Sequence, residues 1–128
     1  MTPFGTTRAG EAVHAIDLRG GALAARILTR GAILRELRLD GVDRNLTVGS
    51  DDLALYDGTM RYHGALIAPV ANRLRGARAP IAGEEHCFEA NQAPHTLHSA
   101  GAGTHLKLWE VEEEAADAVA LALSLIHI

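Results

Sequence analysis

Between Glu11 and Gly41 glycine recurs at intervals too short for a helix of ordinary length: Gly20-Gly21, Gly31 and Gly41 separate stretches of mostly apolar residues. Glycine weakens a helix interior and supplies the positive φ that tight turns need. Residues 13–18, 23–29 and 32–39 are therefore expected to be strands, with Arg19-Gly20-Gly21, Arg30-Gly31 and Asp40-Gly41 as turns. A helical rival exists, because Ala, Leu and Arg are good helix formers and Leu23, Ile27, Leu34 and Leu37 fall near helical spacing. The glycines weigh against it. So does the alternation that puts Ile33, Leu37 and Leu39 on one strand face and Leu34, Glu36, Arg38 and Asp40 on the other. Turn signals about every eight to twelve residues are those of a β-sandwich.

Further along, residues 42–48 read as another strand and 50–56 as a short helical turn opening on Asp51-Asp52. The run A-L-I-A-P-V-A over 65–71 looks like a buried strand, and it delivers two polar residues, Asn72 and Arg73, at its end. Residues 79–81, 86–89 and 106–111 are short strand candidates, and the acidic 112–117 reads as a solvated turn. After it Val119, Leu121, Leu123 and Leu125 alternate with Ala120, Ala122 and Ser124, a strand with one heavy and one light face.

The chain has 128 residues, 48% of them hydrophobic, enough for one modest core and leaving little room for a second domain. Twelve basic residues oppose sixteen acidic ones, and Lys107 is the only lysine, so no basic stripe offers itself to nucleic acid. No apolar stretch approaches the roughly 20 residues that span a bilayer, and Pro69 breaks the longest. The start, M-T-P-F-G-T-T-R, has no export pattern, and the one cysteine, Cys87, can form no internal disulfide. A soluble, cytoplasmic protein with no nucleic-acid or membrane partner is expected. The triplet Asn45-Leu46-Thr47 fits a glycosylation acceptor but carries no weight without an export signal.

Cys87 beside His86 invites a nucleophile and base, but neighbours in a strand face opposite ways, which favours a plain buried or half-buried thiol. His86, His95, His98 and His105 fall close together, yet their spacing matches no zinc motif and no cysteine pair accompanies them, so no metal is expected. Gly101 and Gly103 lack the third glycine of a nucleotide cradle, with Leu106 in its place. Two polar groups are left: Asn72-Arg73, and His95-Thr96-Leu97-His98 before Ser99-Ala100-Gly101. Taken singly, Arg73 reads equally as a surface arginine beside Arg75 and Arg78, and His98 as a satisfied loop histidine.

In this order, Ala71-Asn72-Arg73-Leu74, then Asn91 with Leu97-His98-Ser99-Ala100, then Trp109 resemble the aldose 1-epimerase family, the mutarotases, whose motifs are A-N-R-[IL], L-H-G-G and a following tryptophan. Thr29-Arg30-Gly31-Ala32, Asp40-Gly41 and the stretch from Val48-Gly49 to Tyr56 also look like the family's first third. Two departures stand out: Ala68-Pro69 where the family has G-R, and Ser99-Ala100 where it has G-G. The second puts a methyl group and less backbone freedom at the rim of the site.

The resemblance implies an all-β fold, part of a large antiparallel β-sandwich of the galactose mutarotase-like kind, with 1–128 its amino-terminal part. It implies that Asn72, Arg73 and His98 line a cleft for a small-molecule sugar of the aldohexose class, with no cofactor. Arg73 offers fixed donors, Asn72 both donates and accepts, and His98 is expected to hydrogen-bond near the ring oxygen in either protonation state. The implied reaction interconverts α and β anomers by acid–base ring opening. The family's base, a glutamate, and its principal acid, a second histidine, are expected beyond this chain's end, so no catalytic residue is assigned within it. Glu112, Glu113 and Glu114 are not promoted in their place. A non-catalytic carbohydrate-binding β-sandwich stands as the alternative, and a metal-dependent sugar isomerase using His95, His98 and His105 as the weaker one. The ending Leu123-Ser124-Leu125-Ile126-His127-Ile128 coincides with a translation of a transposase-end adapter. The chain is therefore read as a fragment whose native sequence ends near Leu123, with 124–128 non-native, inactive alone.

Overall fold

The computed structural model describes residues 1–125. The glycine-separated segments form a four-stranded antiparallel meander in sequential order: β1 (Thr2–Thr6), β2 (Ala12–Gly20), β3 (Leu23–Leu28) and β4 (Ile33–Leu39). The last three are the strands expected from the glycine spacing. β1 has no sequence signal, since Pro3 and Gly5 read as coil. It lies at the sheet edge with a register shift between these two residues, where a missing N–H and an absent side chain are tolerated.

One detail of β4 overturns the alternation expected from its sequence. Arg26 pairs with Glu36 but Ile27 pairs with Leu34, so Arg35 is an extra residue, a β-bulge. Registered partners share a face; Leu34 and Leu37 therefore lie with Ile27 and Ala25, while Ile33 moves to the opposite face with Glu36. On that second face Val13, Ala15, Leu28 and Ile33 are buried and form the core with Leu53 and Tyr56. Val13, Leu28 and Ile33 each contribute about 1.5–3 kcal/mol by leaving water. Further along the same face the sheet is charged, and Arg26 grips Asp17 through Nε at 2.6 Å and Nη2 at 3.0 Å.

The bulge also explains why 42–48 is not a strand. The Arg35 carbonyl accepts from the Thr47 hydroxyl at 3.1 Å, and Asn45 Oδ1 accepts from the Leu37 and Thr47 N–H groups at 2.9 and 3.1 Å. Side chains thus satisfy the backbone that a ladder would have used. The helical turn expected next is a 3-10 segment, Leu53–Asp57, capped by Asp52, whose carboxylate accepts from Ala54 N–H at 3.0 Å. Its Leu53 and Tyr56 enter the core, and the Tyr56 hydroxyl accepts from Ser50 N–H at 2.9 Å.

Beyond the sheet, β5 (Arg73–Leu74) pairs with β8 (Thr96–Leu97), and β6 (Arg78–Ile81) with β7 (Glu84–Cys87) across the two-residue turn Ala82-Gly83. β9 (Glu110–Glu114) and β10 (Val119–Ala122) form a third antiparallel pair. Several expectations change here. The acidic residues through Glu114 belong to β9, and the turn is confined to 115–118, closed by Ala115 N–H on the Ala118 carbonyl at 2.8 Å. Thr104–Leu106 is a 3-10 turn, so the strand expected over 106–111 starts only at Glu110. The strand expected over 86–89 is shifted back to Glu84–Cys87, and Cys87 is exposed, because this hairpin packs neither face against the core. Residues 126–128, and with them the end of the segment read as non-native, lie outside the described residues.

The described residues are thus all-β and antiparallel, and none of their helices is long and apolar enough to cross a membrane. The turn between β3 and β4 anchors the later chain. Gly31 N–H donates to the Lys107 carbonyl at 2.8 Å, the Gly31 carbonyl accepts from Leu66 N–H at 3.0 Å, and Trp109 N–H reaches the Thr29 carbonyl at 2.8 Å. Gly31 sits at φ 65°, and a Cβ there would lie 2.7 Å from the His105 carbonyl oxygen, so no larger residue fits. Both later stretches that carry the polar motifs dock at this one turn.

Candidate functional site

The apolar run 65–71 is neither a strand nor buried; Leu66 is 45% and Val70 39% exposed. Its backbone is laced to the stretch around residues 96–104 by side chains instead of a ladder. The Thr104 hydroxyl donates to the Leu66 carbonyl at 2.6 Å and accepts from Ala68 N–H at 3.0 Å, while Thr104 N–H donates to the Ala68 carbonyl at 3.0 Å. The Ser99 hydroxyl accepts from Val70 N–H at 2.9 Å and donates to the Val70 carbonyl at 3.0 Å. Two hydroxyls therefore do what a neighbouring strand would have done, and the sequence alternation could not reveal it.

This lacing ends in the residues singled out from the sequence. Asn72 N–H donates to His98 Nδ1 at 2.9 Å, and His98 N–H donates to the Asn72 carbonyl at 2.9 Å. Arg73 Nη1 donates to Asn72 Oδ1 at 3.1 Å and Nε to Gln92 Oε1 at 2.5 Å. The structure thus brings Asn72, Arg73 and His98 together. Among the described residues two of the five guanidinium N–H donors of Arg73 are engaged, and the side chain is exposed. His98 Nδ1 is thereby occupied as an acceptor, which leaves Nε2 as the donor of the ring.

Backbone strain gathers at the same place. Asn72 has φ 62°, and His98, Ser99 and Ala100 have φ 50°, 62° and 48° in succession. Asparagine tolerates this region; Ser99 and Ala100 stand where the motif favours glycine. Ser99 is compensated by its two bonds to Val70, and Ala100 is buried at 5% exposure. Strain of this kind concentrates at ligand sites.

Behind His98, its ring meets Tyr62 edge-on with centroids 4.8 Å apart, and Tyr62 meets His105 at 4.9 Å. His105 is buried, with Nδ1 lacking a hydrogen-bond partner among the described residues. Burial, aided by the positive charge that His98 would carry if protonated and by those of Arg61, Arg30 and Lys107, pushes its pKa down to about 4. Gly103 makes room for that ring, since a Cβ there would lie 2.4 Å from His105 Cε1. Asn91 clamps Leu97 from the side, accepting from its N–H at 2.7 Å and donating to its carbonyl at 3.0 Å.

Gln92, Tyr62 and Thr104 are the members of the site that sequence reasoning missed. Nothing local marks Gln92 or Tyr62; only long-range contact gives them a part. His95 accepts from Gly76 N–H at 3.1 Å through Nδ1, as His98 does from Asn72, and His105 is buried. Among the described residues no three His, Cys, Asp or Glu side chains are grouped to hold a metal ion.

Residues 14–127 match the family model for aldose 1-epimerase. This chain belongs to the aldose 1-epimerase family. The galactose mutarotase of Mus musculus is 30% identical over 103 residues, 78% of this chain and 30% of that protein. The galactose mutarotase of Homo sapiens is 27% identical over 103 residues, with the same shares. Among solved structures, the GalM/aldose epimerase homologue from C. elegans superposes with a TM-score of 0.78 at 25% identity, covering 88% of this chain and 36% of that one. Galactose 1-epimerase from Lactobacillus acidophilus NCFM gives a TM-score of 0.68 at 23% identity, covering 83% and 31%. The fold is therefore that of the galactose mutarotase-like β proteins, and the chain spans about 30% of the length of these mutarotases. The family assignment drawn from the Asn-Arg, Leu-His and Trp motifs stands.

Proposed function

We propose that this chain supplies the Asn72, Arg73 and His98 side of a sugar cleft in a carbohydrate isomerase that interconverts the α and β anomers of a free aldose. The observation that carries the reading is the double hydrogen bond between Asn72 and His98 together with the bond from Arg73 to the Asn72 side chain, which gathers the three residues at one corner. Hydroxyl oxygens are the ligands such a donor set suits. Family membership and the names of the mutarotase relatives support the same substrate class.

In the reaction, a base removes the anomeric hydroxyl proton as an acid protonates the ring oxygen, and the bond from C1 to the ring oxygen breaks to leave an aldehyde. Rotation about C1–C2 and reclosure return both protons and give the other anomer. Arg73 and the Nε2–H of His98 would hold the ring and its oxygen. None of the hydrogen-bond partners of Asn72, Arg73 and His98 among the described residues is a carboxylate. We assign the base and the principal acid to residues outside this chain, and expect residues 1–128 alone to be inactive. We place the protein in the cytoplasm, working on its sugar without cofactor.

Polarimetry with freshly dissolved α-glucose and α-galactose tests the reading on the protein as its source reading frame encodes it. Faster approach to anomeric equilibrium than in buffer supports it; no acceleration for any aldose would sink it. Sugar binding by calorimetry without anomer exchange would select a non-catalytic carbohydrate-binding module, for which this donor set is equally suited.

A further inference from the structure

A depression of about 200 Å3 opens beside this corner, lined by Arg73, Arg75 and His95. Leu74 between the arginines is extended, at φ −97° and ψ 117°, so Arg73 and Arg75 leave the chain on the same side and Leu74 on the other. Arg73 is thus common to the depression and to the Asn72–His98 corner. His95 lines it as well, and with Nδ1 accepting from Gly76 N–H at 3.1 Å its Nε2 is left as the donor of the ring.

Among the described residues the depression is lined by cationic groups with no carboxylate beside them. The nearby Arg78 is paired with Glu85 at 3.3 Å, and Arg73 has only the neutral partners Gln92 and Asn72. Arg75 makes no side-chain hydrogen bond or ion pair among the described residues, and no carboxylate lines the depression. Two guanidinium groups and an imidazole N–H around one hollow repel one another unless an anion or water lies between them. The planar fork of arginine matches the two oxygens of a carboxylate or phosphate.

We propose that the sugar taken by this cleft carries an anionic group, a carboxylate or a phosphate ester, which Arg75 and His95 hold together with Arg73. The proposal rests on the anomerase reading and narrows its substrate from neutral aldoses to acidic ones. A neutral hexose would leave the hollow filled with water and the guanidinium groups uncompensated. An acidic sugar replaces that water with charge-assisted hydrogen bonds.

The test compares glucose, glucuronate and glucose 6-phosphate by NMR exchange between anomers, on the protein as its source reading frame encodes it. At low ionic strength, kcat/KM for one of the two acidic sugars should exceed that for glucose by about tenfold or more. Added salt should shrink this ratio. Arg75→Gln should lower it about tenfold, and Arg75→Lys should keep most of it. Which acidic sugar wins identifies the anion as carboxylate or phosphate. If glucose is exchanged as efficiently as both, or if Arg75→Gln leaves the ratio unchanged, the proposal is overturned while the anomerase reading stands. If no sugar is exchanged at all, the anomerase reading fails, and calorimetry with the two acidic sugars decides the site. Binding lost in Arg75→Gln then upholds an acidic-sugar site; no binding overturns it.

Discussion

Asn72 and His98 are bound to each other twice through the backbone of the asparagine: the Asn72 N–H on the imidazole Nδ1 and the Asn72 carbonyl on the His98 N–H, both at 2.9 Å. The orientation of the histidine ring is thus set by backbone atoms, and the asparagine side chain is free to hold Arg73. This division of labour separates what substitutions at 72 and 73 should do.

Arg73→Ala removes the charged donors and should lower kcat/KM for anomer exchange at least about tenfold, the equivalent of one lost charged hydrogen bond. Asn72→Gly keeps the backbone pairing and the positive φ but frees Arg73 from its anchor, so a smaller loss is expected, mainly in KM. Steady-state polarimetry on both variants separates the two. An Arg73→Ala enzyme as efficient as the parent would remove this residue from the cleft.

His105 predicts the acid response of the fold. Its native pKa, near 4, lies below the ordinary histidine value of about 6.5, so between these values the unfolded chain binds the proton first. Stability is then fully present above about pH 6.5 and is lost as pH falls toward 4, by as much as about 3 kcal/mol. Asp17, held below its usual value chiefly by the hydrogen bonds from Arg26, adds its loss only at still lower pH. Denaturant melts of the parent and His105→Phe across pH 4–7 check this: the variant should lose most of the slope. Equal slopes would show that His105 is not buried neutral.

Thr104→Val keeps the shape of a buried side chain but deletes the hydroxyl that serves Leu66 and Ala68. Leaving those partners unsatisfied should cost about 1–3 kcal/mol. A denaturant midpoint unchanged within error would refute the lacing as a source of stability.

Ala82 is the first residue of the hairpin turn between β6 and β7, at φ 52°, followed by Gly83 at φ 88°. Two positive φ values in a two-residue loop define the turn type that favours Asn-Gly. Ala82→Asn should raise stability by about 0.5–1 kcal/mol, because the strain at alanine is relieved and the exposed methyl contributes no packing. Thermal melts of the two proteins side by side give the answer; a lower midpoint for Ala82→Asn would count against the turn geometry.

Three strands of the first sheet, β2 to β4, were legible in the sequence because their punctuation is local: Gly20-Gly21 and Gly31 mark the turns where they occur, whereas β1 carries no such mark. The facing of β4 was not, since a bulge at Arg35 is created by the partner strand and by Asn45 and Thr47, and has no alternation of its own. The apolar run before Asn72 misled for a related reason. A run of apolar residues announces burial only when a ladder is available, and here Ser99 and Thr104 take its place. Asn72, Arg73 and His98 could be named from their motifs, whereas Gln92 and Tyr62 act only through contacts that the fold creates.

The hairpin of β6 and β7 separates the two halves of the site along the chain, yet it is closed at its base by the pairing of Arg78 with Cys87 and by Phe88 N–H on the Ala77 carbonyl at 2.8 Å. The polypeptide leaves the site and returns to it through one gate. Whatever lies past that gate can lengthen, shorten or change its chemistry while Arg73 and His98 keep their places. At the bench, the exposed Cys87 at its foot offers a natural handle for a thiol-reactive fluorophore.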